Sequence, residues 1–250
     1  MKAIQLSQKA NELIDWVQIE TRKPISIIIS EDVGANMLAS FRPDPNSILI
    51  NVTERLLNNG QDAVDQSVCH EAVHGLLLHG HGYSFPVFVN AHDQEIRMSI
   101  NLCMTMIDDI VVNKILEEKG MLPFTSQYIA MVRREIDAIN TNADIYKEHL
   151  AIGTHFYQRF KIFRYIMAHG FLTYYQLIAE HAKLISRFTK HFERYFTELM
   201  PETKQIVTWI NVNNIFTPQG HRIVVENILG MWGLFSYVQL KTYNPQSDYL

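Results

Sequence analysis

Cysteine is scarce in this chain: 250 residues hold only two, Cys69 and Cys103. Neither belongs to a CxxC pair, so a disulfide framework is not in prospect and a reducing compartment is the simpler setting. Long apolar runs are missing as well. No stretch approaches the ~20 residues of a membrane span, and the opening MKAIQLSQKANELIDW lacks the apolar centre of a signal peptide. Charge of one sign is not in excess. Lys and Arg number 22 against 26 Asp and Glu, a net charge of −4, which gives no general attraction to nucleic acid or to an anionic membrane. Neither repeats nor low-complexity segments occur. The expectation is a cytoplasmic protein with no nucleic-acid or membrane partner.

What remains is ordinary globular material, 47% hydrophobic and 19% charged, long enough for one large core or two small ones. Apolar positions at Ile4, Leu6, Leu13, Ile14 and Val17 suit an amphipathic helix over residues 3–20. Pro24 then opens PISIIIS, a β-branched run with the composition of a buried strand. Met37 to Phe41 and Ser47 to Val52 flank RPDPN, whose Pro and Asp residues favour a turn, so these two runs predict a hairpin. After Gly60 the apolar spacing becomes helical. A helix is expected from Asp62 to His79, stopped at Gly80 and Gly82. The next starts at Asn90 or Asp93 and runs to a stop at Gly120 and Pro123. Ile152, Phe156, Phe160, Phe163 and Met167 recur at helical spacing, as do Tyr174, Ile178, Ile185, Phe188, Phe192 and Phe196. Thr217-Pro218 opens a last helix. The fold class expected is α+β, with a small mixed front half and an all-helical back half.

The informative stretch is HEAVHGLLLHGHG, residues 70–82. His70 and His74 are four apart, so on a helix their directions differ by only about 40°. Two imidazoles one turn apart can grip one Zn²⁺ at roughly 2.0–2.1 Å each. Glu71 stands beside them, able to take a proton from a water that the metal acidifies to a pKa of about 7 and to deliver it to a leaving amine. An exposed helix with two solvated histidines is the bland alternative. Val64, Val68, Ala72, Val73, Leu76, Leu77 and Leu78 surround the motif and argue against it, because buried imidazoles need partners.

A third ligand is needed. A histidine six residues past His74 would serve, but that position is Gly80; His79 and His81 flank it, and His79 points roughly 140° from His74. The next helix offers Asp108 and Asp109 inside an apolar run, where a carboxylate must be paired or neutralised. Asp109 is favoured, with Asp108 and Glu95 as rivals; Glu95 has an ordinary reason to occupy a first helical turn. Asn113, one turn after Asp109, could hold a ligating histidine by its other ring nitrogen.

HEAVH followed by a helix with an acidic ligand resembles the zincin metallopeptidases in their gluzincin arrangement. More narrowly, HExxHxxxxH with a later DxxVN resembles the metallopeptidase-like domains of bacteria and phages that accompany von Willebrand A-type domains. The resemblance implies a zinc-dependent peptidase with His70, His74 and Asp109 as ligands, Glu71 as general base and Asn113 in support. It also implies an edge strand above the motif helix that aligns a protein or peptide substrate. It covers residues 24–120, implying a core at 1–122 followed by a helical region at 123–250. Aspartate stands where the family has glutamate, and GHGYSFPVFVNAHDQE is an insertion.

Other residues are weighed more plainly. Cys69 points about 100° from His70 and suits the core. His221, after TPQG, is either solvated or an oxyanion donor. His181, Lys183, Arg187, Lys190, His191 and Arg194 complement an apolar stripe, so a solvated helix face accounts for them. Two other classes stay open: a zincin-shaped zinc-binding protein without turnover, and a helical interaction module in residues 125–250.

Overall fold

The computed structural model describes residues 4–30, 38–121, 125–140, 146–174 and 181–243. Met37, Pro123 and Ile178 of the expected patterns lie outside them. The chain forms two compact units that interleave in sequence: residues 1–83, 112–124 and 242–250 in the first, 84–111 and 125–241 in the second.

The first unit opens with α1 (Gln8–Thr21), capped by Ser7, whose Oγ accepts the Ala10 N–H at 3.3 Å. Ala10, Leu13, Ile14 and Val17 form its buried stripe. Three strands follow: β1 (Ile25–Ile29), β2 (Ala39–Pro43) and β3 (Ile48–Val52), in the order β1-β3-β2. β2 and β3 make the expected antiparallel hairpin, and β1 lies parallel to β3. The turn closes on Asp44, whose Oδ1 accepts from Asn46 N–H at 2.9 Å and Ser47 Oγ at 3.0 Å. Ile48, Ile50 and Val52 are wholly buried, as a central strand requires. A one-turn α2 (Glu54–Leu57) leads to α3 (Gln61–His79), the motif helix, which packs on α1, β2 and β3.

Gly75 permits that packing. A Cβ there would come within 2.7 Å of the Ile48 side chain, so only hydrogen fits between helix and sheet. The first unit also holds the last turns of α4 (Gln94–Glu118), from Val112 onward. Gly120 adopts a left-handed φ of 69° beyond its end. Lys9 donates to the Gly120 carbonyl, and Lys119 lies 3.6 Å over the Trp16 ring, fastening the end of α4 to α1.

In the second unit, α4 begins after Asp93, whose Oδ1 caps the Ile96 N–H at 3.2 Å; Asn90 has a left-handed φ of 53° and lies before the helix. Helices α5 (Thr125–Asn140), α6 (Thr154–Tyr174), α7 (Ala182–Tyr195), α8 (Met200–Val212) and α9 (Pro218–Met231) follow. Thr217 caps α9 as expected, accepting Gly220 N–H at 3.2 Å. A buried pair joins α6 to α5: Arg164 Nε donates to Glu135 Oε1 at 2.7 Å.

The back half is not all helical. Val238–Thr242 forms a strand, β5, that pairs with β4 (Ser84–Phe88) from the insertion before α4. VQLKT does alternate apolar and polar residues, but five residues are a weak signal when the partner strand lies in the other half of the sequence. Among the described residues no helix is long and apolar enough to cross a membrane.

Candidate metal centre

Helix α3 is buried on nearly every side, so its polar residues have little water to turn to. His70 is 6% exposed and His74 is half-buried. One turn apart, they bring their Nε2 atoms to 3.1 Å of each other. Without a metal, one Nε2–H must donate to the other's lone pair. With one, both lone pairs face the same ion. Bonds of 2.0–2.1 Å in a tetrahedral site put ligand atoms about 3.3 Å apart, close to the separation found here.

Asp109 completes the group. One ligand atom from each of His70, His74 and Asp109 lies within 4.8 Å of the others. Two imidazoles and a carboxylate are a donor set that suits zinc, with positions left for water. The donor types fit the ion that the sequence implies; the two imidazoles already stand at ligand spacing, and the group as a whole, within 4.8 Å, would close by a small shift on taking it up.

The rival acids are engaged elsewhere. Asp108 Oδ1 accepts from His221 Nε2 at 2.6 Å, and His221 is 0% exposed. That burial removes His221 from contact with any substrate; its work is to bind α9 to α4. Glu95 accepts the Phe156 N–H at 2.8 Å, capping the first turn of α6. Its carboxyl fills the space beside Gly153, where a Cβ would meet it at 2.1 Å.

Asn113 does not do what its spacing predicts. It is 3% exposed, and its Oδ1 is buried without a hydrogen-bond partner; it bonds neither histidine. It falls one turn beyond Asp109 on α4, and its Oδ1 makes no hydrogen bond there. His79 is buried between the Phe41 ring, edge-on at 6.4 Å, and Tyr243 at 4.6 Å. His81 is exposed past the helix end, and neither joins the group. Burial pushes the Cys69 thiol up to about 12, with Asp65 adding to the shift. Cys69 is a core residue.

Glu71 is half-buried and lies outside the ligand group. Its Oε2 accepts the main-chain N–H of Phe41, on β2, at 2.7 Å. Sequence reasoning missed this contact, and nothing in the spacing of residues 30 positions apart signals it. Lys183, Arg187, Lys190 and Arg194 on α7 are exposed, as a solvated face requires, while His181 and His191 are half-buried. Lys183, Ser186, Arg187, Lys190 and His191 line a shallow groove of about 630 Å³ that contains no acid.

No known protein family, curated protein or solved structure matches the chain.

Proposed function

We propose that the chain is a zinc-dependent metallopeptidase whose substrate is a protein or peptide. The observation that carries this reading is the convergence of His70, His74 and Asp109 with an adjacent carboxylate, Glu71, left out of the ligand group. A purely structural zinc site is closed by four protein ligands and has no use for that acid. Zinc bound there would supply a Lewis acid and bring the ionisation of water down to about pH 7. Glu71 takes the proton of the attacking water and passes it to the departing amine. His70 and His74, spaced on one helix, and Asp109, on another, orient the site.

A second reading has one observation in its favour. The Phe41 amide is the hydrogen bond that Glu71 makes, which is what an acid with a structural task would do. On that reading the chain is a zinc-binding regulatory or interaction protein without turnover.

Glu71→Gln separates the two. Glutamine keeps the length and an acceptor for Phe41 but takes no proton from water. The peptidase reading expects unchanged zinc content and unchanged melting, with hydrolysis of an unfolded protein substrate such as casein lowered by ~10²–10⁴-fold. Cleavage at the wild-type rate contradicts Glu71 as the base; loss of zinc makes it a ligand.

A further inference from the structure

Helix α4 carries two adjacent carboxylates, and one of them belongs to the metal group. Successive residues of an α-helix point about 100° apart. The turn of α4 about its own axis therefore decides which of the two meets an ion. Asp109 is the one grouped with His70 and His74. Asp108 is held by α9, where the Nε2 of the fully buried His221 donates to its Oδ1 at 2.6 Å.

His221 sits on a turn with little slack. The Thr217 carbonyl accepts the His221 N–H at 2.9 Å, and Thr217 Oγ caps the same turn. A Cβ at Gly220 would fall 2.1 Å from the Asn214 carbonyl oxygen, so the turn lies directly against the chain that precedes it. A second tie between the two helices runs alongside: Cys103 Sγ donates to the Val225 carbonyl at 3.9 Å, both residues being fully buried. A thiol is a weak donor, whereas a bond to an ionised carboxylate is roughly twice as strong as a neutral one. Of the two ties, the bond to Asp108 is the one that fixes how α4 is turned. All four residues belong to the second unit.

We propose that His221 is a positioning residue for the metal centre: by holding Asp108 to α9, it fixes the rotation of α4 that presents Asp109 to the ion. Asp108 anchors and Asp109 ligates. Freed of His221, Asp108 carries a part-buried charge that needs a new partner, and an ion bound by its neighbour is one. α4 then has two ways to face the metal instead of one. The inference rests on the reading of His70, His74 and Asp109 as a metal site, and it asks nothing of His221 toward a substrate.

The test measures zinc affinity of the full chain by competition with a chelating dye, with the unfolding free energy of the metal-free protein alongside. His221→Leu should bind zinc about 10- to 100-fold more weakly, the range commanded by partners that orient a ligand, while still taking up one equivalent at saturating zinc. His221→Gln, whose amide N–H can reach the carboxylate, should recover most of that loss. Asp108→Ala should weaken affinity by a similar factor, again without lowering the content at saturation. Combining it with His221→Leu should add little, since both remove the same bond. Co²⁺ in place of zinc gives a second readout: its visible absorption, which follows ligand geometry, should change in His221→Leu and return in His221→Gln. A His221 that only holds the fold together would lower the unfolding free energy and leave the affinity and the Co²⁺ spectrum as in the wild type, which overturns the proposal. Should His221→Leu fail to fold, Asp108→Ala carries the test, and wild-type affinity in that variant overturns it equally. A wild type that takes up no zinc is a different failure, that of the metal-site reading itself.

Discussion

Helices α3 and α7 both carry histidines beside apolar residues, yet their settings are opposite. α3 buries thirteen of its residues, including His70, His79, Asp65 and Ser67, with no broad face left to water. α7 buries only Ile185, Phe188 and Phe192, and its lysines and arginines stand in solvent. In α7 a basic residue needs no partner, so its presence carries no message about chemistry. In α3 a polar residue must be satisfied inside the protein, so each one points to a contact. Asp65 accepts the Ser7 N–H, Glu71 the Phe41 N–H, and His70 faces His74. A histidine's weight as a functional signal depends on what its helix buries.

The largest expected effect lies in α7's apolar stripe. Phe188 is 1% exposed, and Phe188→Ala should destabilise the chain by about 3–5 kcal/mol in chemical denaturation. A loss under 1 kcal/mol would mean that the stripe is not a core. Metal removal probes the other helix. With free zinc at 1,000 times its Kd, chelation should lower stability by about 4 kcal/mol. His70→Ala should abolish that difference, while His191→Ala on α7 leaves it intact.

Smaller effects sharpen the picture. Gly75→Ala should overpack against Ile48 by about 1–3 kcal/mol, offset by up to about 1 kcal/mol of helix propensity. Its signature is coupling: Ile48→Val should cost less in the Gly75→Ala background than in the wild type, and additive effects would contradict the close approach. At the bottom of the scale, Lys183→Ala and Lys190→Ala should change stability by no more than ~0.5 kcal/mol. A larger loss would mean that α7's exposed face has a partner.

Much of this was legible in the sequence, for identifiable reasons. Period and capping residues announced α1, the hairpin, α3, α4 and α9, because each signal is local: Asp93, Thr217 and Asp44 act within three residues of themselves. His70 and His74 were legible because helical geometry alone brings i and i+4 together. The parallel pairing of β1 with β3 and the pairing of β5 with β4 were not, since each depends on where distant segments meet. Asp108 and Asp109 are neighbours of identical type, so the sequence favours Asp109 but leaves Asp108 as its rival. The distinction comes from His221, 113 positions away, which takes Asp108. Asn113 shows the same limit from the other side, since its position on α4 was legible and its hydrogen bonding was not.

On the reading proposed above, His70, His74 and Asp109 hold one metal ion. Zinc content per chain, measured by mass spectrometry on protein purified with zinc supplied, tests it directly. The account predicts close to one equivalent in the wild type, none in the His70→Ala, His74→Ala double variant, a strong loss in Asp109→Ala, and little change in Asp108→Ala or Glu95→Ala. Full stoichiometry in the double variant, or a folded wild type that takes up no zinc, would contradict it.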